Sequence, residues 1–457
     1  MKITVNADRI IGKIKPMHAV GQPPRLGARN TKMHYLTEAG IPYSRLHDVG
    51  GGFGGGVYVD IPNIFPDFDA DENDPASYEF AFTDNLMEGL MEAKCEPYFR
   101  LGVTIENYAH VVKPYRIYPP KDFAKWARIC EHVVRHYNEG WADGFTYGVT
   151  YWEIWNEPEN GNGPIRNELW LGTAEEYYEM YIIAAKHLKA CFGDTIRVGG
   201  FGSCGFGSFA GEPEVKDSDE PRLTKELADA IMERNHEVSG YRLRFFRDFL
   251  RAVSEAGAPL DFFGWHNYSQ VWNALAVGDY VRTMLDRYGF TATESHMNEW
   301  NNAHDLRFRG TSYASACAGA MMLAMQDSPA DMLCYYDARI NNSEYGGLFS
   351  PLTWEPVSTY YSFKAFGELY RRGTQVECGY DAGGAGKKRV IYACAAKDDA
   401  GDVALMIVNT GTACEIETNL EGYGVWYVDE KRFLEKGEAD GGKFTLPGNT
   451  VVLLKRC

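Results

Sequence analysis

The chain has 457 residues, 45% of them apolar and 14% aromatic, and a formal net charge of −17. That acidity argues against nucleic acid and against an anionic membrane surface as partners. No stretch approaches the ~18 apolar residues of a membrane span, and the length points to two or three domains, or to one large barrel with an appendage.

The ten cysteines are scattered with no C-x-x-C pair, so neither a zinc ribbon nor a thioredoxin-like motif is expected. The first eight residues hold no apolar run of signal-peptide length. Together these features predict a reducing, cytoplasmic setting.

In chain order, Ile3 to Val5 form a short strand ahead of the main body, and 16–21 form a second. A helix with Leu36 and Ala39 on its apolar side ends at Gly40. Residues 42–48 read as a strand, followed by a glycine-rich run at 50–56. No Lys-Ser/Thr pair follows that run, so it reads as a rim loop and not as a phosphate cradle. Leu86, Leu90 and Ala93 mark a helix, 97–102 a strand, and Phe123, Trp126, Ala127, Cys130, Val133, Val134 and Tyr137 recur at helical spacing.

The next strand, 151–155, is aromatic and β-branched and stops at Asn156-Glu157-Pro158, because proline removes a ladder donor and restricts its neighbour. Thr173 and Glu176 form a capping box ahead of a helix. Strands follow at 196–200, 260–265, 294–298 and 332–336. Helices lie between and after them, with a long polar loop at 202–221.

This alternation repeats about eight times between residues 15 and 371, which predicts a (β/α)8 TIM barrel, an α/β fold with a parallel sheet. After Arg372 short strands crowd together: 390–395, 403–409, 414–418, 425–428 and 451–455. These predict a C-terminal antiparallel β-sandwich domain over 372–457, joined by the orphan strand of residues 1–14.

Polar residues punctuate the barrel strands at their carboxyl ends: His47, Glu157, His266, Glu299 and Asp337. That face carries the chemistry of such barrels. Glu157 ends the fourth strand and Glu299 the seventh, so their carboxyls face each other across the mouth. Two carboxyl groups across one bond are what glycoside hydrolysis requires. Glu157, under an aromatic roof, suits the acid. Tyr268, beyond the sixth strand, is placed to hydrogen-bond Glu299 and keep it ionised.

The chain from about Gly21 to Leu369 resembles glycoside hydrolase family 39, the β-xylosidase and α-L-iduronidase group of clan A. The resemblance rests on Tyr43-Ser44-Arg45-Leu46-His47-Asp48, on Pro97-Tyr98-Phe99-Arg100-Leu101-Gly102, on Trp152 to Pro158, on Leu260-Asp261-Phe262-Phe263 with His266 and Tyr268, and on Asn298-Glu299-Trp300-Asn301. It implies a retaining exo-glycosidase, with Glu157 as acid/base, Glu299 as nucleophile and Asn156 on the sugar 2-hydroxyl. Asn298 departs from the threonine usual in the family. Tyr335-Tyr336-Asp337-Ala338-Arg339 stands where the family's xylosidases have tryptophan.

The substrate contacts expected are His47, Asn156, His266, Tyr268, Trp300, Tyr336, Asp337 and Arg339. An arginine fork and a carboxylate at 337–339 suit sugar hydroxyls or a carboxylate, unless they only pair with each other. The partner expected is a carbohydrate, with no cofactor and no metal, and homo-oligomerisation is left open. An endo-acting clan A glycanase, a catalytically silent carbohydrate-binding protein, and a metal-dependent hydrolase using His47, Asp48, His266, His296 and Glu299 are the alternatives.

Overall fold

After an N-terminal strand, β1 (Lys2–Lys13), eight parallel strands close into a barrel in the computed structural model of the chain. The structure describes residues 1–25, 29–49, 59–105, 115–161, 167–206, 236–303, 305–340, 345, 347–384 and 386–456, without the side chains of 236–239 and 387. The glycine-rich run at 50–56 and most of the 202–221 loop lie outside the described residues.

The barrel strands are β2 (Ala19–Gly21), β3 (Tyr43–Leu46), β4 (Glu96–Leu101), β5 (Tyr151–Ile154), β6 (Arg197–Ser203), β7 (Phe262–Asn267), β8 (Glu294–Trp300) and β9 (Met332–Tyr335). They pair in sequence order, and β9 returns to β2. A helix follows each strand in turn: α1 (His34–Ala39), α2 (Ala81–Glu92), α3 (Phe123–Asn138), α4 (Ala174–Phe192), α5 (His236–Glu255), α6 (Val271–Arg287), α7 (Ser312–Gln326) and α8 (Ser358–Arg372).

Local chemistry sets the helix ends. Thr173 accepts from the Glu176 N–H at 3.1 Å and Glu176 accepts from the Thr173 N–H at 2.7 Å, so the predicted capping box starts α4. α1 ends at Gly40, whose φ of 66° suits a residue without Cβ. Helix α7 is rich in Ala and Met and is buried along almost its whole surface. It is sandwiched between the barrel and the C-terminal sheet, and a Cβ at Gly319 would meet Val408 at 2.9 Å. Among the described residues no helix is long and apolar enough to cross a membrane.

Period-2 alternation sorts the strand residues between lumen and wall. Ala19, Tyr98, Tyr151, Phe262, Met332 and Cys334 form an apolar floor in the lumen. Their neighbours Val20, Phe99, Trp152, Phe263 and Leu333 face outward into the large core under the helices. Above the floor the lumen turns polar, and that layer carries the site.

The C-terminal strands are β10 (Thr374–Tyr380), β11 (Ile391–Lys397), β12 (Val403–Asn409), β13 (Cys414–Thr418), β14 (Gly424–Val428), β15 (Phe433–Asp440), β16 (Lys443–Leu446) and β17 (Thr450–Lys455). They form one nine-stranded sheet in the order β15-β14-β17-β12-β11-β10-β1-β13-β16. Its two ends share one apolar cluster, Ile3, Ile416 and Phe444 from one end and Val425, Tyr427 and Leu454 from the other, so the sheet curls into two layers. The alternate residues Cys394, Ala404, Met406 and Val451 join the barrel's core instead.

β1 is longer than the three-residue strand predicted. It pairs antiparallel with β10 and parallel with β13, through two register shifts. β10, β15 and β16 were not legible as strands. β15 is an edge strand with no fully buried residue, and its charged side chains protect that edge while erasing the apolar signal.

Candidate active site

The polar layer of the lumen is built around Arg45, which is almost wholly buried. Tyr43 packs against the lumen floor, so alternation along β3 also turns Arg45 inward. Its Nε donates to Glu153 at 2.8 Å, Nη1 to Glu299 at 2.8 Å and Nη2 to Asn156 at 2.5 Å. Glu153, fully buried on β5, also accepts from Asn298 at 2.5 Å. The asparagine at the family's threonine position therefore helps satisfy a buried carboxylate.

Removing one member of a buried pair leaves an uncompensated charge and costs about 3–5 kcal/mol. Arg45→Met is expected to lose that much in equilibrium urea unfolding; an unchanged midpoint would contradict the arrangement.

Two backbone irregularities aim the carboxyl groups. Just beyond β5, Trp155 and Glu157 take φ values of 73° and 43°, a left-handed conformation costing a non-glycine residue roughly 1–2 kcal/mol. The Glu157 N–H donates to the carbonyls of Phe201 and Gly202 at 3.0 and 3.1 Å, which holds the turn. On β8 the register with β7 shifts between Trp265↔Met297 and His266↔Glu299, so Asn298 is an extra residue. This bulge lets Asn298 and Glu299 both face inward.

Glu299 Oε2 accepts from the Tyr268 hydroxyl at 2.8 Å, as the sequence suggested. Burial pushes the Glu299 carboxyl up, while His266 and Arg45 pull it back. The direct Arg45 and Tyr268 bonds favour its ionised form. Glu157 Oε1 lies 2.5 Å from His266 Nδ1, and its Oε2 accepts from Asn160 at 2.8 Å. Burial raises the Glu157 carboxyl to about 7 and lowers His266 to about 4, so a neutral imidazole shares a proton with the acid near neutral pH. One carboxylate oxygen of Glu157, one of Glu299 and a ring nitrogen of His266 lie within 4.8 Å of one another.

His47 Nε2 stands 3.1 Å from the Asn156 amide and 3.2 Å from Asp48 Oδ1. The Tyr336 hydroxyl donates to Asp48 Oδ2 at 2.7 Å. The structure thus brings His47, Asn156, Glu157, His266, Tyr268, Glu299 and Tyr336 into one cluster, with Arg339 at its edge, 3.5 Å from the Tyr336 hydroxyl.

Two expected contacts fall outside that cluster. Trp300 is fully buried and packs on Tyr335 and Phe363, at centroid distances of 5.0 and 6.4 Å. After the bulge, alternation sends it into the wall and away from substrate. Asp337 is also fully buried and accepts from Arg339 Nε at 2.7 Å and its backbone N–H at 3.1 Å. It anchors Arg339 and is not placed to accept sugar hydroxyls. Arg339 keeps 24% of its side chain exposed. Asp337→Ala, Arg339→Ala and the double variant are therefore expected to lose kcat/KM alike, with an unchanged order among pentoside, hexoside and uronide. A reordering would restore a direct sugar contact.

Of the five residues named for a metal, His47, Asp48, His266 and Glu299 lie together and His296 stands apart. His296 stacks on Phe262 at 5.1 Å, against the lumen floor, with Nε2 3.2 Å from Glu294. Glu153, Arg45, Asn160 and Tyr345 were given no role from sequence. The Tyr43-x-Arg45-x-His47 alternation was the available signal for Arg45. Tyr345, 5.2 Å from the Tyr268 ring, lies beyond β9 with no such pattern.

Residues 2–274 match the profile of Glycosyl hydrolases family 39. The chain belongs to this family. Among its relatives, a β-xylosidase of Caldicellulosiruptor saccharolyticus is 28% identical over 214 residues, 44% of this chain and 40% of the relative. The chain thus spans well under half the length of that relative. The crystal structure of a glucosidase from Croceicoccus marinus superposes with a TM-score of 0.75 at 21% identity, covering 100% of this chain and 99% of the other. A family 39 β-xylosidase from Caulobacter crescentus gives 0.68 at 16% identity, with both chains fully covered. At these identities the two structures speak to the fold alone.

Proposed function

We propose that the chain is a retaining exo-glycosidase of the β-xylosidase type, acting through a covalent glycosyl-enzyme intermediate. The observation that carries this reading is that one carboxylate oxygen of Glu157 lies within 4.8 Å of one of Glu299. Retaining glycosidases hold their carboxyl groups about 5–5.5 Å apart, whereas inverting ones need a wider gap for a water. The β-xylosidase relative supports the sugar class.

In the first step a Glu299 oxygen attacks the anomeric carbon. The glycosidic C–O bond breaks, and Glu157 gives its proton to the departing oxygen. In the second step water attacks the same carbon, Glu157 takes the water's proton, and Glu299 leaves. Arg45 and Tyr268 receive the carboxylate back. Asn156, held between Arg45 and His47, faces the same space.

The acid must be protonated in the free enzyme, and kcat/KM reports that state. With Glu157 raised to about 7, kcat/KM is expected to fall as pH rises through about 7. An ordinary glutamate would have lost its proton near 4.3. A screen of nitrophenyl glycosides finds the sugar, and the pH profile on the best substrate tests the acid. A basic limb near 4–5, or no hydrolysis of any glycoside, would defeat the reading.

A further inference from the structure

Two residues beyond the acid, Glu159 is a second carboxyl with no exposed surface. Its Oε1 accepts from the Ser203 hydroxyl at 2.6 Å and from the Cys204 N–H at 2.9 Å. Its Oε2 is buried without a hydrogen-bond partner. Glu157 is tied to the same segment, since its N–H donates to Phe201 and Gly202. The turn bearing the acid is therefore clamped to the end of β6 at two points, one of them the Glu159 carboxylate.

On the other side stands Arg242 of α5, whose Nη2 reaches Asn160 Oδ1 at 3.5 Å and whose Nε is buried without a partner. Asn160 in turn donates to Glu157 Oε2 at 2.8 Å. A cation and an anion thus bracket the general acid through its own turn.

We infer that Glu159 and Arg242 are positioning residues that fix the orientation of the Glu157 carboxyl and set, in opposite directions, how tightly it holds its proton. The inference rests on Glu157 acting as the acid of the proposed reaction. Glu159 opposes ionisation of Glu157 by like charge, and Arg242 favours it. Burial chiefly raises both carboxyls to about 7, and the like charge of Glu157 adds to the rise of Glu159, the interaction that couples two titrations.

The other charged groups acting on Glu157 are Arg45 from β3, Asp48 beyond it, His266 on β7 and Glu299 on β8. Around Glu159 the remaining titratable groups are Cys204 after β6, Tyr177 and Tyr178 on α4, and Tyr241 on α5. None of these four is a cation, so Arg242 is the counter-charge that the described residues place beside Glu159. The pattern Asn-Glu-Pro-Glu carries this second carboxyl in the sequence itself.

The test compares Glu159→Gln and Arg242→Gln with the unsubstituted protein, on an alkyl glycoside and a dinitrophenyl glycoside of the sugar found in the screen. Alkyl glycosides need a proton on the leaving oxygen and dinitrophenyl glycosides do not. Glu159→Gln is expected to lower kcat/KM about 10- to 100-fold on the alkyl substrate, a part of the roughly 10²–10⁴-fold a general acid supplies in full, and under about 3-fold on the activated one. Its basic limb should move to lower pH and sharpen to a single proton, while that of Arg242→Gln moves to higher pH. The retained dinitrophenyl activity shows that each variant folds. Equal losses on both substrates, or limbs that do not move or move together, would overturn the inference. If the unsubstituted protein hydrolyses neither substrate, the proposed reaction has failed and this inference falls with it.

Discussion

Replacement of Glu299 with alanine is expected to lower kcat by about 10⁴-fold or more on every substrate, whatever its leaving group, as loss of a covalent nucleophile does. The reason is geometric. Glu299 is the carboxylate held ready by Arg45 at 2.8 Å and Tyr268 at 2.8 Å, and no other carboxylate of the cluster has that pair of donors. An alanine there leaves Arg45 paired with Glu153, so the fold should survive and the loss should be chemical. A small anion such as azide, supplied to the cavity, should restore part of the turnover with inversion. Activity within about tenfold of the unsubstituted protein would remove Glu299 from the role.

Replacement of Glu157 with alanine should behave differently, and the difference is diagnostic. Only poor leaving groups need protonation, so alkyl or oligosaccharide substrates should lose about 10²–10⁴-fold, the usual share of general acid catalysis. Dinitrophenyl glycosides should lose little in the first step. Because Glu157 also activates the water of the second step, the covalent intermediate should accumulate and appear as a burst. The basic limb near 7 should vanish with the residue that causes it. A uniform loss across leaving groups would point to a structural role for Glu157.

The barrel was legible because its signals are local and repeated. Eight apolar strands, each followed by a helical stripe, leave little freedom in topology once the connections are parallel. Glu157 and Glu299 were legible for the same reason: each closes a strand at the carboxyl end. Trp300 was misread because a strict alternation cannot see the bulge that inserts Asn298 ahead of Glu299. Asp337 was misread because its partner lies two residues away. A carboxylate next to an arginine reads the same whether the two grip a sugar or each other. Arg45 sat in a strand whose other lumen-facing residues are an aromatic and a histidine. Its importance came from Glu153, Asn156 and Glu299, which lie 108, 111 and 254 positions away. Long-range charge satisfaction of that kind leaves no periodic trace. The edge strand β15 was hidden by the charges that keep it from pairing with other chains.

The most direct test of the account is the anomeric configuration of the first sugar released, followed by proton NMR from the moment of mixing with the nitrophenyl glycoside that the screen selects. With one oxygen of each carboxyl within 4.8 Å of the other, no room is left for a water between Glu299 and the sugar. The first product should therefore carry the configuration of the substrate, with the other anomer growing in only by slow mutarotation. A first product of inverted configuration would contradict the nucleophilic role of Glu299 and the mechanism built on it.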